Sequence, residues 1–532
     1  MPAPLTHAAR PSQVSQAARG MRDPAGRDWA TAGLLVAALL AIAAWLPFLD
    51  RPLTSDESGF LLLARQWHPG SSLYGDYWVD RPPLLLWLFS LADHLGHTRA
   101  TTLGVISPGV KVVGAAASGA AVALTGVLTS LIAPHASRSR HLAVALAVAL
   151  LSSPLLGMPE TDGELLALPF VLLGMVCSVL ALRRPYEHPT VVVAAAAGAS
   201  AMAAALVKQN VVDVFVFAGV AVVVLRGRVE RPGARVAGFA VGALAVLGTA
   251  LAGAWIRGTS ATGLWDAIVV FRLEASAAIG SSASPATTER LTRLVEAFVA
   301  SGAAAVLVLA AGAVLAHLLG SRRTERAEGT HPTALFAYPV AALVGWELFG
   351  VMVGGSYWMH YLVGLVPGLV ALVAIAADIA VGRTSQRVLR LVVAYTAAAT
   401  VAVWAHHATA TVTVSPDDQV MGYLREHARA TDGVVVGFGH PDIVAGSGLA
   451  SPYEQLWSLP VRVRDPQVVE LRHVMAGPAA PRWVVAAGTS LDTWGLDAAG
   501  ATDAQHYLQE HYVDRVEYGD WHVWQRREGG TR

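Results

Sequence analysis

Residues 50–89 read DRPLTSDESGFLLLARQWHPGSSLYGDYWVDRPPLLLWLF and follow directly on the first long apolar run of the chain, 29–49. Two adjacent carboxylates, Asp56 and Glu57, and then Asp80 beside Arg81 ahead of Pro82-Pro83, stand at the edge of otherwise apolar sequence. Charges placed there are costly unless they have a partner or a task. Between them Phe60, Leu61, Leu63, Ala64 and Trp67 fall at helical spacing, and Pro82-Pro83 opens a second apolar run, Leu84 to Leu95. Proline suits a helix start, where its missing N–H does no harm. Both runs are shorter than a bilayer crossing and predict interfacial helices lying on a leaflet. Two such helices bracketing Asp80-Arg81 would form a shelf beside the lipid headgroups.

The rest of the chain sets this loop in a membrane protein. Its 532 residues are 54% hydrophobic and only 14% charged, with 38 basic and 38 acidic side chains and a mean hydropathy of +0.49. A soluble surface normally carries about a quarter charged residues. The balanced charge gives no case for nucleic acid as a partner, and the single cysteine, Cys177, leaves neither an intramolecular disulfide nor a cysteine metal site. Residues 1–28, with Arg10, Arg19, Arg22 and Arg27 and little apolar sequence, read as a disordered cytoplasmic tail rather than a signal peptide.

A crossing helix needs roughly 20 apolar residues. Eleven runs qualify: 29–49, 105–132, 141–157, 164–182, 190–207, 210–226, 236–256, 296–319, 333–352, 361–380 and 388–409. The loops between them alternate. One set carries Arg138 and Arg140; Arg183 and Arg184; Arg226, Arg228, Arg231 and Arg235; Arg322, Arg323 and Arg326; and Arg383 and Arg387. The short loops of the other set, 158–163, 208–209 and 353–360, hold one basic residue, Lys208. The positive-inside tendency makes the arginine loops cytoplasmic. The amino terminus is then inside, and the opening stretch faces outward.

Acids gather on that outer face: Asp50, Asp56, Glu57, Asp76 and Asp80 in the first loop, Glu160, Asp162 and Glu164 in the second, and Asp266, Glu274 and Glu289 in the long loop 257–295. Wet loops carry acids for ordinary reasons. Asp56-Glu57 and Asp162-Gly163-Glu164, however, sit at helix ends, where an unpartnered charge is expensive.

The pattern SDESGF…LYGDYWVDRPPLLLWL resembles the first extracytoplasmic loop of GT-C glycosyltransferases related to protein O-mannosyltransferases and lipid A aminoarabinose transferases. Further segments match in order: Thr161 to Phe170 after the third span, Leu206 to Asn210 after the fifth, and Gly354 to Tyr361, with Pro367 following, after the ninth. The likeness covers roughly 29–410, and its specificity lies in the order and common sidedness of the segments. It implies an all-α polytopic GT-C-like catalytic domain of about eleven transmembrane helices at 29–410. It also implies a polyprenyl-phosphate-linked sugar donor held in the outer leaflet, passing its sugar without any nucleotide to an extracytoplasmic cell-envelope acceptor: glycolipid, polysaccharide or protein.

Carried over residue by residue, the resemblance makes Asp56 the base for the incoming hydroxyl, with Glu57 its neighbour, and Asp162 or Glu164 the acid that shapes the site. The donor phosphate calls for cations. Only Lys111 and Lys208 among the basic residues are lysine, and Lys208 falls where the family's Lys-Gln pattern places a phosphate-facing amine; a lysine snorkelling to the interface is the alternative. Arg81 replaces the lysine of some relatives and can grip a phosphate bidentately. Arg272 is a third candidate. Lys111, inside the second span, reads as snorkelling. Tyr77, Asp80, Tyr357, His360 and Tyr361 are candidates for the sugar or acceptor pocket, although interfacial belts of Trp and Tyr are the default for such aromatics. No single segment has metal-ligand spacing, so no metal is assigned. There is no nucleotide signature either, and the need for a divalent cation stays open.

Beyond residue 410 charge returns and the apolar pattern shortens. A helix near Asp417–Ala430, strands Val434–Gly439 and Trp483–Ala487, a helix near Ala504–Tyr512 and a hairpin Asp514–Gln525 turning at Gly519-Asp520 predict a small extracytoplasmic α/β domain over 411–532. Gly437-Phe438-Gly439-His440 alone is too weak for a nucleotide loop. Acceptor recognition, a lid or a purely structural cap all suit this domain. A transporter would show repeats and mid-membrane acids, and only Glu347 fits the latter. A non-catalytic scaffold presenting the terminal domain would have no need of Asp56, Arg81 and Lys208. A hydrolase or polymer ligase of the same architecture is harder to set aside than either.

Overall fold

In the computed structural model, which describes residues 24–134, 137–183, 185, 187–281, 285–324, 332–379, 383–488, 491 and 496–528, all eleven apolar runs fall on helices. The chain opens with α1 (Pro24–Ala43), then α2 (Ser55–Gln66) and α3 (Pro83–Leu95) in the first long loop, a hairpin β1 (Arg99–Thr101) and β2 (Gly104–Ile106), α4 (Pro108–Ile132) and α5 (Ser137–Leu151). Next come α6 (Gly163–Arg183), α7 (His188–Val207), α8 (Asp213–Leu225) and α9 (Pro232–Ile256). Short α10 (Ala261–Trp265), α11 (Phe271–Ser281) and α12 (Pro285–Ala300) precede α13 (Ala303–Thr324), α14 (Pro332–Val353), α15 (Val366–Ile379) and α16 (Arg383–Thr409).

Among the described residues eight helices are long and apolar enough to cross a membrane, and nine if α12 and α13, bent by 63° at their junction, form one span. The runs 141–157 and 210–226 fall on α5, 15 residues, and α8, 13 residues. The tail expected over 1–28 is cut short, because α1 begins at Pro24; residues 1–23 lie outside the described residues, as do Arg184 and Arg326 of the arginine loops.

Small residues let the helices approach. A Cβ at Gly198 or Gly242 would run into backbone carbonyls, Phe239 O and Ala195 O, so α7 and α9 pack backbone to backbone. Glu347 is buried on α14 and accepts a hydrogen bond from Gly368 N at 2.9 Å. It caps the first turn of α15, where the helix's own N–H groups lack partners.

α2 and α3 form where the pattern predicts them, but the apolar face of α2 is covered by the protein itself, while Leu91 and Leu95 of α3 stay exposed. Phe60, Leu61 and Leu63 of α2 and Leu85, Leu86 and Phe89 of α3 are buried. α2 starts with a capping box, Thr54 accepting from Glu57 N and Glu57 accepting from Thr54 N.

The last segment is α17 (Pro416–His427), β3 (Val434–Gly437), α18 (Pro441–Ser447), α19 (Ser458–Arg464), α20 (Val469–Ala476), β4 (Trp483–Ala487), α21 (Ala498–His511), β5 (Tyr512–Tyr518) and β6 (Trp521–Arg526). The sheet order is β3-β4-β6-β5, with β3 parallel to β4 and the other pairs antiparallel. This unit docks on the first loop. Trp78 N donates to Glu454 O at 3.0 Å, and Arg425 reaches Thr101 O at 2.9 Å. Arg464 pairs with Asp266 at 2.7 Å and Glu274 at 3.3 Å.

Candidate active site

Asp56 lies in the first turn of α2, half-buried, and its Oδ1 accepts the Trp457 indole N–H at 2.8 Å. Trp457 also stacks on Phe60, with ring centroids 5.7 Å apart. The fit is close enough that a Cβ at Gly59 would collide with the indole. The adjacent hydroxyl of Ser55 donates to Asp442 and to Gly439 O. Asp442 flanks His440, which pairs with Asp417 at 3.0 Å.

Glu57 turns the other way. It is fully buried, and both its oxygens accept from Lys111 Nζ at 2.7 and 2.8 Å, with Thr161 N adding 2.8 Å. Lys111 also donates to Pro159 O at 2.9 Å. The expected snorkelling of Lys111 is therefore replaced by an interior ion pair tying the first loop to the second. Glu57 has no oxygen left for substrate.

The cations come together. Arg81 Nη1 lies 2.6 Å from Asp80 Oδ1, and Arg272 pairs with the other oxygen of the same carboxylate. Burial works against the Arg81 charge, but the carboxylates of Asp80, Asp56 and Glu164 and the Tyr361 phenol hold its pKa above the ordinary arginine value. Arg272 is pulled below it, by burial first and also by Arg81. Lys208, capping the end of α7, pairs with Glu164 and sits 4.7 Å from the Tyr361 ring. Gln209 Nε2 holds Asp80 O at 2.9 Å.

The second-loop acids face His360. Its Nδ1 lies 3.3 Å from Glu160 Oε2, and its ring meets Tyr361 edge-on at 5.1 Å. Burial pushes Asp162 up to about 8, with Glu164 and Glu160 adding to the rise and His360 opposing it. Its Oδ1 accepts from Leu165 N at 2.7 Å, at the start of α6. Glu160 is also desolvated, but the neighbouring His360 brings it below the usual carboxylate range.

Asp162, Glu164 and His360 bring ligand atoms within 4.8 Å of one another, and Glu164 Oε2 is buried without a hydrogen-bond partner among the described residues. Two carboxylates and an imidazole fit a divalent cation. No segment carries that spacing, because His360 lies far along the chain from Asp162. Lys208 already puts a positive charge on Glu164, so an ion there would share that carboxylate with an ammonium.

Of the pocket candidates, Asp80, His360 and Tyr361 join the cluster. Tyr77 does not reach it with its hydroxyl, which is buried and accepts from Ser451 N at 2.8 Å. Tyr357 packs against the apolar core instead, with a left-handed backbone, φ 55°. Sequence reasoning missed Trp457, which nothing local marks, and counted Glu160 among the outer acids without assigning it to the site. Arg290 was missed as well: it lies 4.9 Å from Trp358 and donates to Ser356 O at 2.9 Å.

Comparison with solved structures places this architecture. The ArnT structure from Cupriavidus metallidurans in the apo state superposes with a TM-score of 0.56 at 11% identity, over 94% of this chain and 98% of that one. The chain has the GT-C fold. The same ArnT bound to undecaprenyl phosphate gives 0.52 over the same shares at 11% identity. The archaeal oligosaccharyltransferase AglB from Archaeoglobus fulgidus, in complex with an inhibitory peptide and a dolichol-phosphate, gives 0.50 at 12% identity, over 96% of this chain and 75% of that one. No protein-family model matches the sequence, and a search of curated proteins finds no match. The GT-C fold thus rests on three-dimensional likeness and on the helix order, with the C-terminal sheet domain included in the superposition.

Proposed function

We propose that the chain is a membrane glycosyltransferase that moves a sugar from a polyprenyl-phosphate donor to an extracytoplasmic acceptor of the cell envelope. The observation that carries this reading is the meeting of Arg81, Arg272 and Lys208 from three separate segments around Asp80 and Glu164, with Asp56 close enough for its charge to act on Arg81. Asp56 takes the proton of the acceptor hydroxyl as the acceptor oxygen bonds to the anomeric carbon. The bond from that carbon to the phosphate oxygen breaks, and its electron pair leaves with the lipid phosphate. The three cations stabilise the phosphate charge as it develops. Trp457 holds Oδ1 of Asp56, leaving Oδ2 for the proton.

In this reading residues 29–410 form the catalytic domain, and 411–532 complete its site from outside the membrane. The amino terminus is cytoplasmic and the C-terminal domain extracytoplasmic, as the arginine loops suggest. A divalent cation, if bound, would be held by Asp162, Glu164 and His360 and would add positive charge beside Lys208. The lipid phosphates bound to ArnT and AglB support a lipid-phosphate donor here.

The test is release of free polyprenyl phosphate from polyprenyl-phosphate-hexose, in lipid nanodiscs containing mixed cell-envelope acceptors. Wild type releases it, and Asp56→Asn, folded as judged by its melting curve, does not. Equal release by both removes Asp56 from the chemistry; no release by wild type across a panel of donor sugars overturns the transferase reading.

A further inference from the structure

A cavity of about 690 Å³ lies on the flank of the helical body, away from the charged cluster. α5 is its floor, through Val144, Ala145 and Val148, and α1 and α16 are its walls, through Leu34, Ala37 and Val401. One end is closed. There the Trp404 indole N–H donates to Ala44 O at 2.9 Å, and Phe48 meets the same ring edge-on at 6.5 Å. This is the end from which the chain runs on, through Pro154–Leu156, into the Glu160–Glu164 loop of the candidate site. At the other end stand Arg140 and His141.

The lining between the ends is almost wholly apolar. The hydroxyl of Thr400, one of its few polar groups, is engaged with Ala149 O at 3.0 Å. The distance from Arg140 to Ser152 along α5 is about 18 Å at about 1.5 Å per residue, close to the roughly 15 Å depth of one leaflet's hydrocarbon. A single acyl chain fits that length and lining. Arg140 is half-buried at the mouth and forms no ion pair among the described residues. A guanidinium at the end of an apolar slot, at headgroup depth, selects a lipid whose headgroup carries net negative charge.

We propose that this slot is a binding site for an anionic phospholipid of the leaflet opposite the candidate active site. One acyl chain lies along α5 between α1 and α16, and the phosphate rests on Arg140 and His141. The site differs from that of the donor in leaflet, lining and residues, and it stands whether or not the transferase reading does.

The test uses the full-length protein in mild detergent, mixed with equal amounts of phosphatidylglycerol and phosphatidylcholine and examined by native mass spectrometry. Wild type is expected to keep one phosphatidylglycerol in preference to phosphatidylcholine. Arg140→Glu lowers that retention by about fivefold or more. Ala145→Trp, which fills the slot from an exposed position on its floor, abolishes retention of either lipid while its melting temperature stays near wild type. The proposal is overturned by equal retention of the two lipids by wild type, or by undiminished phosphatidylglycerol on either variant.

Discussion

Replacing Trp457 with phenylalanine separates two functions of one side chain. The benzyl ring keeps the stack on Phe60, now 5.7 Å between centroids, and loses the 2.8 Å hydrogen bond to Asp56 Oδ1. A hydrogen bond to a charged acceptor contributes about 1.5–3 kcal/mol. At about 1.4 kcal/mol per tenfold, that amounts to about 10- to 150-fold in rate if the bond is needed at the transition state. Freeing the carboxylate to rotate removes the positioning that proton transfer requires, and misplacement by an ångström can cost about 100-fold. The expected result is kcat/KM for polyprenyl phosphate release lower by about 10- to 100-fold in Trp457→Phe, with a melting temperature close to wild type. Trp457→His, which retains a ring N–H donor, recovers part of the rate. A Phe variant within about twofold of wild type would refute the idea that the C-terminal domain positions the base.

Other outcomes follow from the same geometry. Lys111→Met should destabilise the fold by about 3–5 kcal/mol in thermal or denaturant melts, because it strands Glu57 in the interior, whereas the double variant with Glu57→Gln should recover much of that loss; equal stability of single and double variants would refute an interior ion pair. Arg81→Ala and Lys208→Ala should raise KM for the lipid donor more than they lower the amount of folded protein, and a matching loss of both would leave them structural. His440 is desolvated, which lowers its pKa, but the Asp417 hydrogen bond and the Asp442 and Asp417 charges raise it more, so the net shift is upward. Its contribution to stability is therefore complete below its unfolded value near 6.5 and is lost as pH rises through the higher folded value. The melting temperature of wild type should fall relative to that of His440→Gln above neutral pH, and parallel curves would count against it.

Local features were legible in the sequence. Helices at all eleven apolar runs, the strand Trp483–Ala487 and the turn at Gly519-Asp520 recur in the fold, although the helices at 141–157 and 210–226 are shorter than the crossings expected, because periodicity and turn chemistry are local properties. Lys208 and Asp80 were found by their order in a resemblance, and both lie in the cluster. Glu57 and Lys111 were not separable in this way. A carboxylate beside Asp56 and an amine within a span carry no mark of which partner they will meet, and their pairing is a tertiary fact. Asp162, Glu164 and His360 were each named as site candidates, but their ligand spacing was not visible for the same reason, since the third member comes from a distant loop. The interfacial setting expected for α2 failed because a domain with no apolar run of its own covers it.

The hydrogen bond between Asp56 and Trp457 also has a bearing on biosynthesis. Four hundred and one residues separate the two, so the carboxylate emerges early in translation and waits through nearly the whole of membrane insertion before its partner exists. In the proposed mechanism a chain that ends before Trp457 carries Asp56 without its indole partner, so competence would require synthesis to run past that residue, well beyond the last membrane helix.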